Sequence, residues 1–248
     1  MTDPFRLDGK VALVTGANTG IGQAIAVAMA RAGAGVIAAG RSPVTATLDL
    51  IAAEGLKATG LSLALDAPAE AAQALLTLGP LDILVNNAGV IRRADSTDFS
   101  EADWDAVIDV NLKAVFFLSQ AFARQAFARN AGGAIVNIAS LLAFQGGIRI
   151  PSYTAAKHGV AGLTKLLANE WAARGINVNA LAAGYVETSN TEALRADPDR
   201  SRAILDRIPA GRWGEAADIA GAAVFLASPA AKYIHGTILP VAGGWLAR

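Results

Sequence analysis

Short runs of apolar residues alternate along the chain with longer segments in which apolar residues recur every three or four positions. The segment after residue 14 is typical, because Ile21, Ala24, Ile25 and Ala28 would share one face of a helix. The longest helical segments are predicted near residues 101–130 and 152–174. The apolar runs predict seven strands, at residues 11–14, 36–39, 61–65, 82–85, 134–138, 176–181 and 237–241.

Strands that alternate with helices pair in parallel through right-handed crossovers. We therefore predict the α/β class: a single doubly wound Rossmann-type domain over residues 1–248, with a mostly parallel seven-stranded sheet and helices on both faces. No Pro/Ser-rich linker or repeat divides the chain. The polar segment 186–212 interrupts the alternation, and we predict that it forms a helical flap over a ligand.

Composition narrows the function classes. The 248 residues are 53% hydrophobic and 17% charged, so the chain can bury a large core. Because 21 basic residues balance 21 acidic ones, no nucleic-acid partner is expected. The chain lacks cysteine, shows no signal-peptide pattern, and has no membrane-length apolar run free of glycine or charge. We expect a cytoplasmic protein with no membrane partner. The two histidines lack paired carboxylates, so no metal is expected.

A glycine-rich turn follows the first predicted strand and opens a helix. Its G-x-x-x-G-x-G spacing lets the backbone approach a pyrophosphate, which the positive end of the helix would attract. The alternative is a tight strand–helix turn without a ligand. The candidate cofactor-binding residues of this turn are Gly16, Asn18, Thr19, Gly20, Ile21 and Gly22.

The ends of the second and third strands bear on which dinucleotide binds. Gly40 is followed by Arg41 and Ser42, which could pair with the 2′-phosphate of NADP(H), although a solvated loop arginine is the alternative. Asp66 is predicted to end the third strand, where its carboxylate could accept from an adenine amino group. A helix N-cap before Pro68 is an equally good interpretation of Asp66.

A hydroxyl–ammonium pair supplies candidate chemistry. Tyr153 and Lys157 are four residues apart and share a helix face. A nearby ammonium stabilises a phenolate, so Tyr153 could exchange a proton with an alcohol or ketone as hydride moves. Ser140 could hydrogen-bond the same oxygen, and Asn111 could anchor a water that links Lys157 to solvent. Each residue alone has a structural explanation; the conjunction with a phosphate turn favours catalysis.

These motifs make the sequence resemble the short-chain dehydrogenases/reductases over its whole length. The resemblance rests on residues 15–22, 86–89, Asn111, Ser140, Tyr153 and Lys157. It implies that the last four residues form a catalytic tetrad and that Lys157 and Tyr153 also contact an NAD(H) or NADP(H) cofactor. It implies a homotetramer or homodimer built on the two long helices. It adds as cofactor-binding residues Asn87, Ala88, Gly89, Gly184, Val186 and Thr188.

The sequence departs from the family pattern at two positions. Ala183 stands where the family usually has proline before Gly184, and Ala242 stands where it often has aspartate before two glycines. The first change could loosen the turn that positions the nicotinamide. Neither change removes a reacting group.

Three stretches, 138–149, 208–214 and 243–248, resemble the 2-dehydro-3-deoxy-D-gluconate 5-dehydrogenase subgroup, which acts on keto groups of deoxy sugar acids. This resemblance favours NAD, whereas Arg41 favours NADP. Arginines could hold the substrate carboxylate, and Gln145 could bond one of its hydroxyl groups. The alternative for each arginine is a surface or structural salt bridge, and the alternative for Trp213 is core packing. The candidate substrate residues are Arg92, Gln145, Arg149, Trp213 and Arg248, with Arg93 flanking the same mouth.

We therefore expect an NAD(P)-dependent dehydrogenase that transfers hydride to or from a deoxy sugar acid, with Tyr153 as general acid/base. A gluconate 5-dehydrogenase and a 3-oxoacyl reductase are the alternative enzymes. A dinucleotide-binding sensor or scaffold is the alternative outside catalysis.

Overall fold

A computed structural model describes residues 3–247. It contains one seven-stranded sheet in which every strand pair is parallel, in the order β3-β2-β1-β4-β5-β6-β7. The strands are β1 (Val11–Thr15), β2 (Gly35–Gly40), β3 (Ala58–Ser62), β4 (Ile83–Asn86), β5 (Gly133–Ile138), β6 (Ile176–Ala183) and β7 (Ile238–Val241).

Helices join successive strands and cover both faces of the sheet. They are α1 (Gly20–Arg31), α2 (Thr45–Ala53), α3 (Pro68–Leu76), α4 (Glu101–Ile108), α5 (Ala114–Ala128), α6 (Pro151–Trp171), α7 (Glu192–Ala196), α8 (Pro198–Leu205) and α9 (Ala216–Ala227). This architecture confirms the predicted doubly wound α/β fold.

Two apolar cores form because successive strand side chains point to opposite faces of the sheet. Val14 of β1 packs with Ile25 and Ile219 on the side of α1 and α9. Leu13, its neighbour in the chain, packs with Leu118 and Phe122 on the opposite side, under α3 and α5. β1 pairs with both β2 and β4, so the strand order reverses here, and a crevice for a ligand is expected beyond the carboxyl ends of these strands.

The third strand was predicted too late in the chain. β3 spans Ala58–Ser62 rather than residues 61–65, and it forms the exposed edge of the sheet. Leu63 and Leu65 are buried although they follow the strand. Their alternation with small residues therefore reflects burial of the connection to α3 rather than strand pairing.

The predicted long helix near 101–130 is interrupted. A π-helical turn, Asp109–Lys113, separates α4 from α5. The predicted helix 152–174 corresponds to α6 followed by a 3₁₀ turn at Ala172–Arg174, which Gly175 ends with a φ of +80°. The stretch Glu101–Ala128 is long enough to span a membrane and contains an apolar window with a mean hydropathy of 1.4, but half of that window is buried within the fold, as in the core helices of soluble proteins.

The polar segment 186–212 contains a 3₁₀ turn, Ser189–Thr191, followed by α7 and α8. Its inner side is anchored by Ile204 and Ile208, which pack in a small separate core. That core also contains Leu141, Trp213 and Trp245, so it joins the segment to the loop after β5 and to the carboxyl-terminal turn.

Candidate active site

The glycine turn lies between β1 and α1, at the reversal point of the sheet. Gly16 and Gly20 have φ values of +64° and +57°, a region that glycine adopts without strain. A Cβ on Gly22 would lie 2.2 Å from the Gly16 carbonyl oxygen, and one on Gly16 would lie 2.8 Å from the Ala88 Cα. The turn therefore requires glycine at these positions because backbone segments approach one another closely.

Asn87 and Thr15 fix this turn to the end of β4. The Asn87 amide donates to the carbonyl oxygens of Thr15 and Gly16, at 2.9 and 3.2 Å. The Thr15 hydroxyl accepts from the backbone N–H groups of Asn87 and Ala88, at 3.0 and 3.1 Å, and donates to the Val85 carbonyl. The sequence analysis did not name Thr15 as a separate site residue. The available signal was its position at the end of β1, directly before the glycine turn.

The turn fits a dinucleotide pyrophosphate. Helix α1 begins at Gly20 with Thr19 as N-cap, and within the described chain no side chain caps its first turn and no acidic residue lies there. The helix N-terminus therefore offers N–H groups and positive potential to an anion. Asn18 and Ile21 belong to the same turn, and Gly20 faces Thr188, since a Cβ on Gly20 would lie 3.4 Å from the Thr188 methyl group.

The adenosine end of such a ligand would meet the loop after β2. Arg41 and Ser42 are both exposed, and within residues 3–247 no carboxylate forms an ion pair with Arg41. Asp66 is also exposed, four residues beyond the end of β3. The N-cap interpretation of Asp66 was wrong, because Ala67 is the N-cap of α3 and no side chain bonds there.

The catalytic candidates meet where β5 ends against α6. The Lys157 ammonium donates to the carbonyl oxygen of Ile138 at 2.6 Å and lies 5.4 Å from the centre of the Tyr153 ring. Ser140 ends the extended backbone after β5, and its hydroxyl accepts from the Leu142 N–H at 3.2 Å. The Ser140 side chain acts on the same phenol, since its interaction lowers the pKa of Tyr153. The structure therefore brings the predicted Ser–Tyr–Lys set together.

Burial controls the protonation of this pair. Desolvation lowers the pKa of Lys157 to about 8, and only 4% of this residue is exposed. Desolvation raises the pKa of Tyr153 to about 12, against the opposing effects of the Ser140 hydrogen bond and the Arg93 guanidinium. At neutral pH, the protein alone therefore holds a protonated phenol beside an ammonium.

Asn111 lies in the π-helical turn and is fully buried. Its side-chain oxygen accepts from the Val90 N–H at 2.8 Å, and its side-chain nitrogen donates to the Val90 carbonyl at 2.9 Å. Gly89 lies against the same side chain, since a Cβ there would be 3.4 Å from the Asn111 oxygen. Asn111 thus fixes the loop after β4; its role in anchoring a water stays a prediction.

The expected nicotinamide end lies after β6. Gly184 donates to the Val241 carbonyl at 3.0 Å, and a Cβ on Gly184 would lie 2.7 Å from the Ala242 Cα. Ala183 pairs with Val241 in the β6–β7 register, so the strand remains paired at the first family departure. Further along, Val186 forms a parallel bridge with Gly214, and Thr188 caps the 3₁₀ turn that opens segment 186–212.

Two of the predicted substrate arginines form ion pairs with aspartates. Arg92 pairs with Asp103 at 3.2 Å, and Arg149 pairs with Asp95 at 3.0 Å. Both contacts match the structural salt bridge that was the alternative for these residues. Arg93, which the sequence placed only at the margin of the site, instead donates to the Asn190 carbonyl in segment 186–212 at 3.1 Å.

The other substrate candidates lie in or beside the small core. The Gln145 side-chain oxygen accepts from the Trp245 indole at 3.2 Å. Trp213 is buried and contacts Tyr185 edge-on, with 5.7 Å between ring centres, as its packing alternative anticipated. Arg248 lies outside the described residues. Within residues 3–247, no group of three His, Asp or Glu side chains is arranged to hold a metal.

Comparison with known proteins defines the class. A family model described as enoyl-(acyl carrier protein) reductase matches residues 16–246. The 2-dehydro-3-deoxy-D-gluconate 5-dehydrogenase of Dickeya dadantii is 53% identical over 248 residues, covering 98% of each chain. Together with the glycine turn and the Ser–Tyr–Lys set, these matches show that the chain belongs to the short-chain dehydrogenase/reductase family and is an NAD(P)-dependent oxidoreductase.

Solved structures agree with this assignment. A crystal structure from Agrobacterium tumefaciens, provisionally assigned as a 2-deoxy-D-gluconate 3-dehydrogenase and containing NADP, is 66% identical with a TM-score of 0.98, and each chain is fully covered. A gluconate 5-dehydrogenase from Burkholderia cenocepacia, in complex with NADP and tartrate, is 40% identical with a TM-score of 0.93, covering 99% of this chain and 98% of that one.

Proposed function

We propose that the protein transfers hydride between a nicotinamide cofactor and a keto or hydroxyl carbon of a deoxy sugar acid, as a 2-dehydro-3-deoxy-D-gluconate 5-dehydrogenase does. The observation that carries the chemistry is the cluster of Tyr153, Lys157 and Ser140 at the crevice that also holds the glycine turn. The relatives' names support the substrate class.

In this mechanism, the Tyr153 hydroxyl gives its proton to the substrate oxygen during reduction and takes it back during oxidation. The bound nicotinamide supplies or accepts the hydride. Lys157 stabilises negative charge on the phenol oxygen, and the Ser140 hydroxyl bonds and orients the same group. The Ile138 carbonyl and Asn111 position the surrounding backbone and ammonium.

The cofactor would lie along the ends of β1, β2, β4 and β6. Its pyrophosphate would meet the turn at residues 16–22, and its adenine amino group would meet Asp66. Its ribose groups would meet Lys157 and residues 87–89, and its nicotinamide would meet Gly184, Val186 and Thr188. Segment 186–212 would then close over the ligand as a flap.

We infer a preference for NADP because Arg41 has no carboxylate partner within residues 3–247, and because NADP is bound in relatives of known structure. The Arg41→Ala change should raise KM for NADP by about 10- to 100-fold, the cost of a lost charge-assisted hydrogen bond, with little effect on NAD. Steady-state kinetics with both cofactors measures this. An equal loss with both cofactors would contradict a contact with the 2′-phosphate.

The main test combines a substrate panel with Tyr153→Phe. Wild-type protein should oxidise or reduce deoxy sugar acids with NAD or NADP, and the variant should lose about 10²- to 10⁴-fold in kcat while still binding cofactor by calorimetry. Tyr233→Phe is the control, because Tyr233 is 94% exposed and lies between the last α-helix and β7. Full activity in Tyr153→Phe would exclude this mechanism.

The same panel separates the alternatives. A preference for gluconate or for an acyl thioester would indicate a gluconate 5-dehydrogenase or a 3-oxoacyl reductase. Tight cofactor binding without turnover on any carbonyl compound would indicate a sensor or scaffold.

We also propose that the protein is cytoplasmic and forms a homotetramer or homodimer through α5 and α6. An open cavity of about 350 Å³ lies on this helix pair and includes aromatic side chains, which suits a self-complementary contact. Its lining residues are Phe116, Gln120, Ala123, Arg124, Phe127, Leu166, Leu167, Glu170 and Trp171.

A further inference from the structure

A network of buried polar side chains lies in the core beside the catalytic cluster. The Asn86 amide of β4 donates to the Asn137 side-chain oxygen of β5 at 2.9 Å, and the Asn137 amide donates to the Thr164 hydroxyl of α6 at 3.0 Å. The Asn86 amide also donates to the Ser119 hydroxyl of α5 at 3.1 Å. All four residues are at most 3% exposed. Side chains of this polarity are seldom fully buried, so their presence here requires an explanation.

The network carries a cost that apolar side chains would avoid. The Asn86 side-chain oxygen is buried and has no hydrogen-bond partner within residues 3–247. A buried acceptor without a partner destabilises a fold, whereas the bonds that the network does make are directional and hold their elements in one arrangement. The geometry that these residues impose therefore explains them better than any stability that they add.

The network ends on the helix that carries the catalytic lysine. Lys157 and Thr164 are seven residues apart on α6, so they lie two turns apart on one face of the helix. Their side chains reach successive residues of β5, because the Lys157 ammonium bonds the Ile138 carbonyl at 2.6 Å and Thr164 accepts from Asn137. The Thr164 hydroxyl is held in turn, since it donates to the Val160 carbonyl at 2.8 Å. Polar bonds thus join α6 to β5 at two levels.

The height of α6 along β5 decides how the catalytic groups meet. The Lys157 ammonium is anchored to a carbonyl of β5, and Ser140 follows the same strand, whereas the Tyr153 ring is carried by α6. A slide of the helix would therefore change the 5.4 Å separation between the ammonium and the centre of the Tyr153 ring. Apolar packing is non-directional and resists such a slide weakly, whereas a hydrogen bond weakens steeply when its geometry changes.

We propose that Asn137 and Thr164 are positioning residues for the reacting phenol, because their hydrogen bond holds α6 at the height on β5 that keeps Lys157 and Ser140 against Tyr153. The Asn137 amide is oriented by its partner in β4, which occupies the Asn137 oxygen and leaves the amide nitrogen for Thr164. The inference rests on the proposed function, since it takes Tyr153 as the acid/base.

The test uses two substitutions of Thr164 that remove different atoms. Thr164→Val removes the hydroxyl and keeps a methyl group, whereas Thr164→Ser keeps the hydroxyl and removes the methyl group. The measurement is the pH dependence of kcat for the panel alcohol that wild type oxidises fastest, with saturating NADP. A displaced ammonium stabilises the phenolate less, so the rising limb in Thr164→Val should move to higher pH. We expect kcat to fall about 3- to 10-fold at neutral pH, with the high-pH plateau nearly unchanged, and Thr164→Ser to keep the wild-type profile.

Ser119→Ala is the matched control, because it removes another bond of the same network without touching Asn137 or α6. It should lower the melting temperature, as Thr164→Val does, and leave the pH profile in place. Thr164→Ala also lacks the hydroxyl, so it should show the same displaced profile and replaces the valine variant if that protein does not fold.

An unmoved profile in the variants that lack the Thr164 hydroxyl would overturn the proposal. An equal displacement in Thr164→Ser or Ser119→Ala would also overturn it, because the displacement would then follow from general loosening of the core. Full activity in Tyr153→Phe would reject the proposed function and this inference with it. An inactive Tyr153→Phe together with an unmoved profile in Thr164→Val would reject the inference alone.

Discussion

Lys157 is an ammonium group placed in the protein interior, and burial lowers its pKa from 10.5 to about 8. Below pH 8 the folded protein bears the cost of that buried charge, whereas above pH 10.5 the amine is neutral in both states. The unfolded chain binds more protons between these values, so stability rises with pH there. Lys157→Met removes this dependence. The free energy of unfolding of wild type, measured relative to that of the variant, should therefore increase by about 3 kcal/mol from pH 8 to 10.5.

Urea denaturation across this range measures the difference. Tyr153 has the opposite effect, because its phenol ionises in the unfolded chain near pH 10 but at about 12 in the fold; since both proteins contain it, the comparison largely cancels it. Lys165→Met, at an exposed position of α6, is the control and should follow the wild-type curve. A constant difference between wild type and Lys157→Met would mean that Lys157 is hydrated in the folded protein.

Single residues also show how far sequence reasoning reaches. The proximity of Tyr153, Lys157 and Ser140 was predictable, because it depends on spacing along one helix and on the end of one strand. Arg93 was not distinguishable from Arg92, because the two differ only in which partners tertiary packing brings to them. Pairing with Asp103 is a property of the folded loop and leaves no trace in local sequence.

The junction of β1 and α1 depends on close backbone contact. In Gly22→Ala, the added methyl group would lie 2.2 Å from the Gly16 carbonyl oxygen and 2.3 Å from the Asn87 amide nitrogen. The turn must shift to relieve this overlap, so we expect a loss of at least about 1–3 kcal/mol in stability and a loss of NADP binding. Thermal denaturation and calorimetry measure the two effects.

Gly221→Ala provides the control within α9, where no described atom lies within 4 Å of the added Cβ. Alanine has the higher helix propensity, so this variant should gain about 0.5–1 kcal/mol and bind NADP normally. Unchanged stability and cofactor affinity in Gly22→Ala would show that the turn is looser than its contacts imply.

For the helices and strands, the hydrophobic pattern predicted the existence of each element more accurately than its first and last residues. The central strands β1, β4 and β5 are buried on both faces, so their apolar runs coincide with their pairing. β3 is an edge strand with exposed and half-buried positions, and the buried Leu63 and Leu65 beyond it displaced the prediction. The π-helical turn at Asp109–Lys113 could not be predicted from helical periodicity, because a single turn of different pitch hardly changes the apolar pattern over a long helix.

Chain alternation and crossover handedness predicted a parallel, doubly wound sheet of seven strands, which the structure confirms. The assembly of the molecule depends instead on a surface that a single chain leaves open. Leu166 is 47% exposed on α6 and lines the cavity between α5 and α6. In the proposed assembly it would be buried, so Leu166→Glu should place a charge in an apolar contact and dissociate the oligomer. Sedimentation velocity should then show a smaller species with an unchanged circular dichroism spectrum.

Leu50→Glu is the matched control, because Leu50 is 49% exposed but lies on α2, away from the helix pair. It should sediment as wild type. If Leu166→Glu retains the wild-type mass, or if wild type itself is a monomer, the α5–α6 face is not the assembly surface.

Arg124 and Glu170 line the same cavity with opposite charges, so a two-fold contact could pair them across the interface. Dissociation by Arg124→Glu and its reversal by adding Glu170→Arg would assign the contact to this face directly.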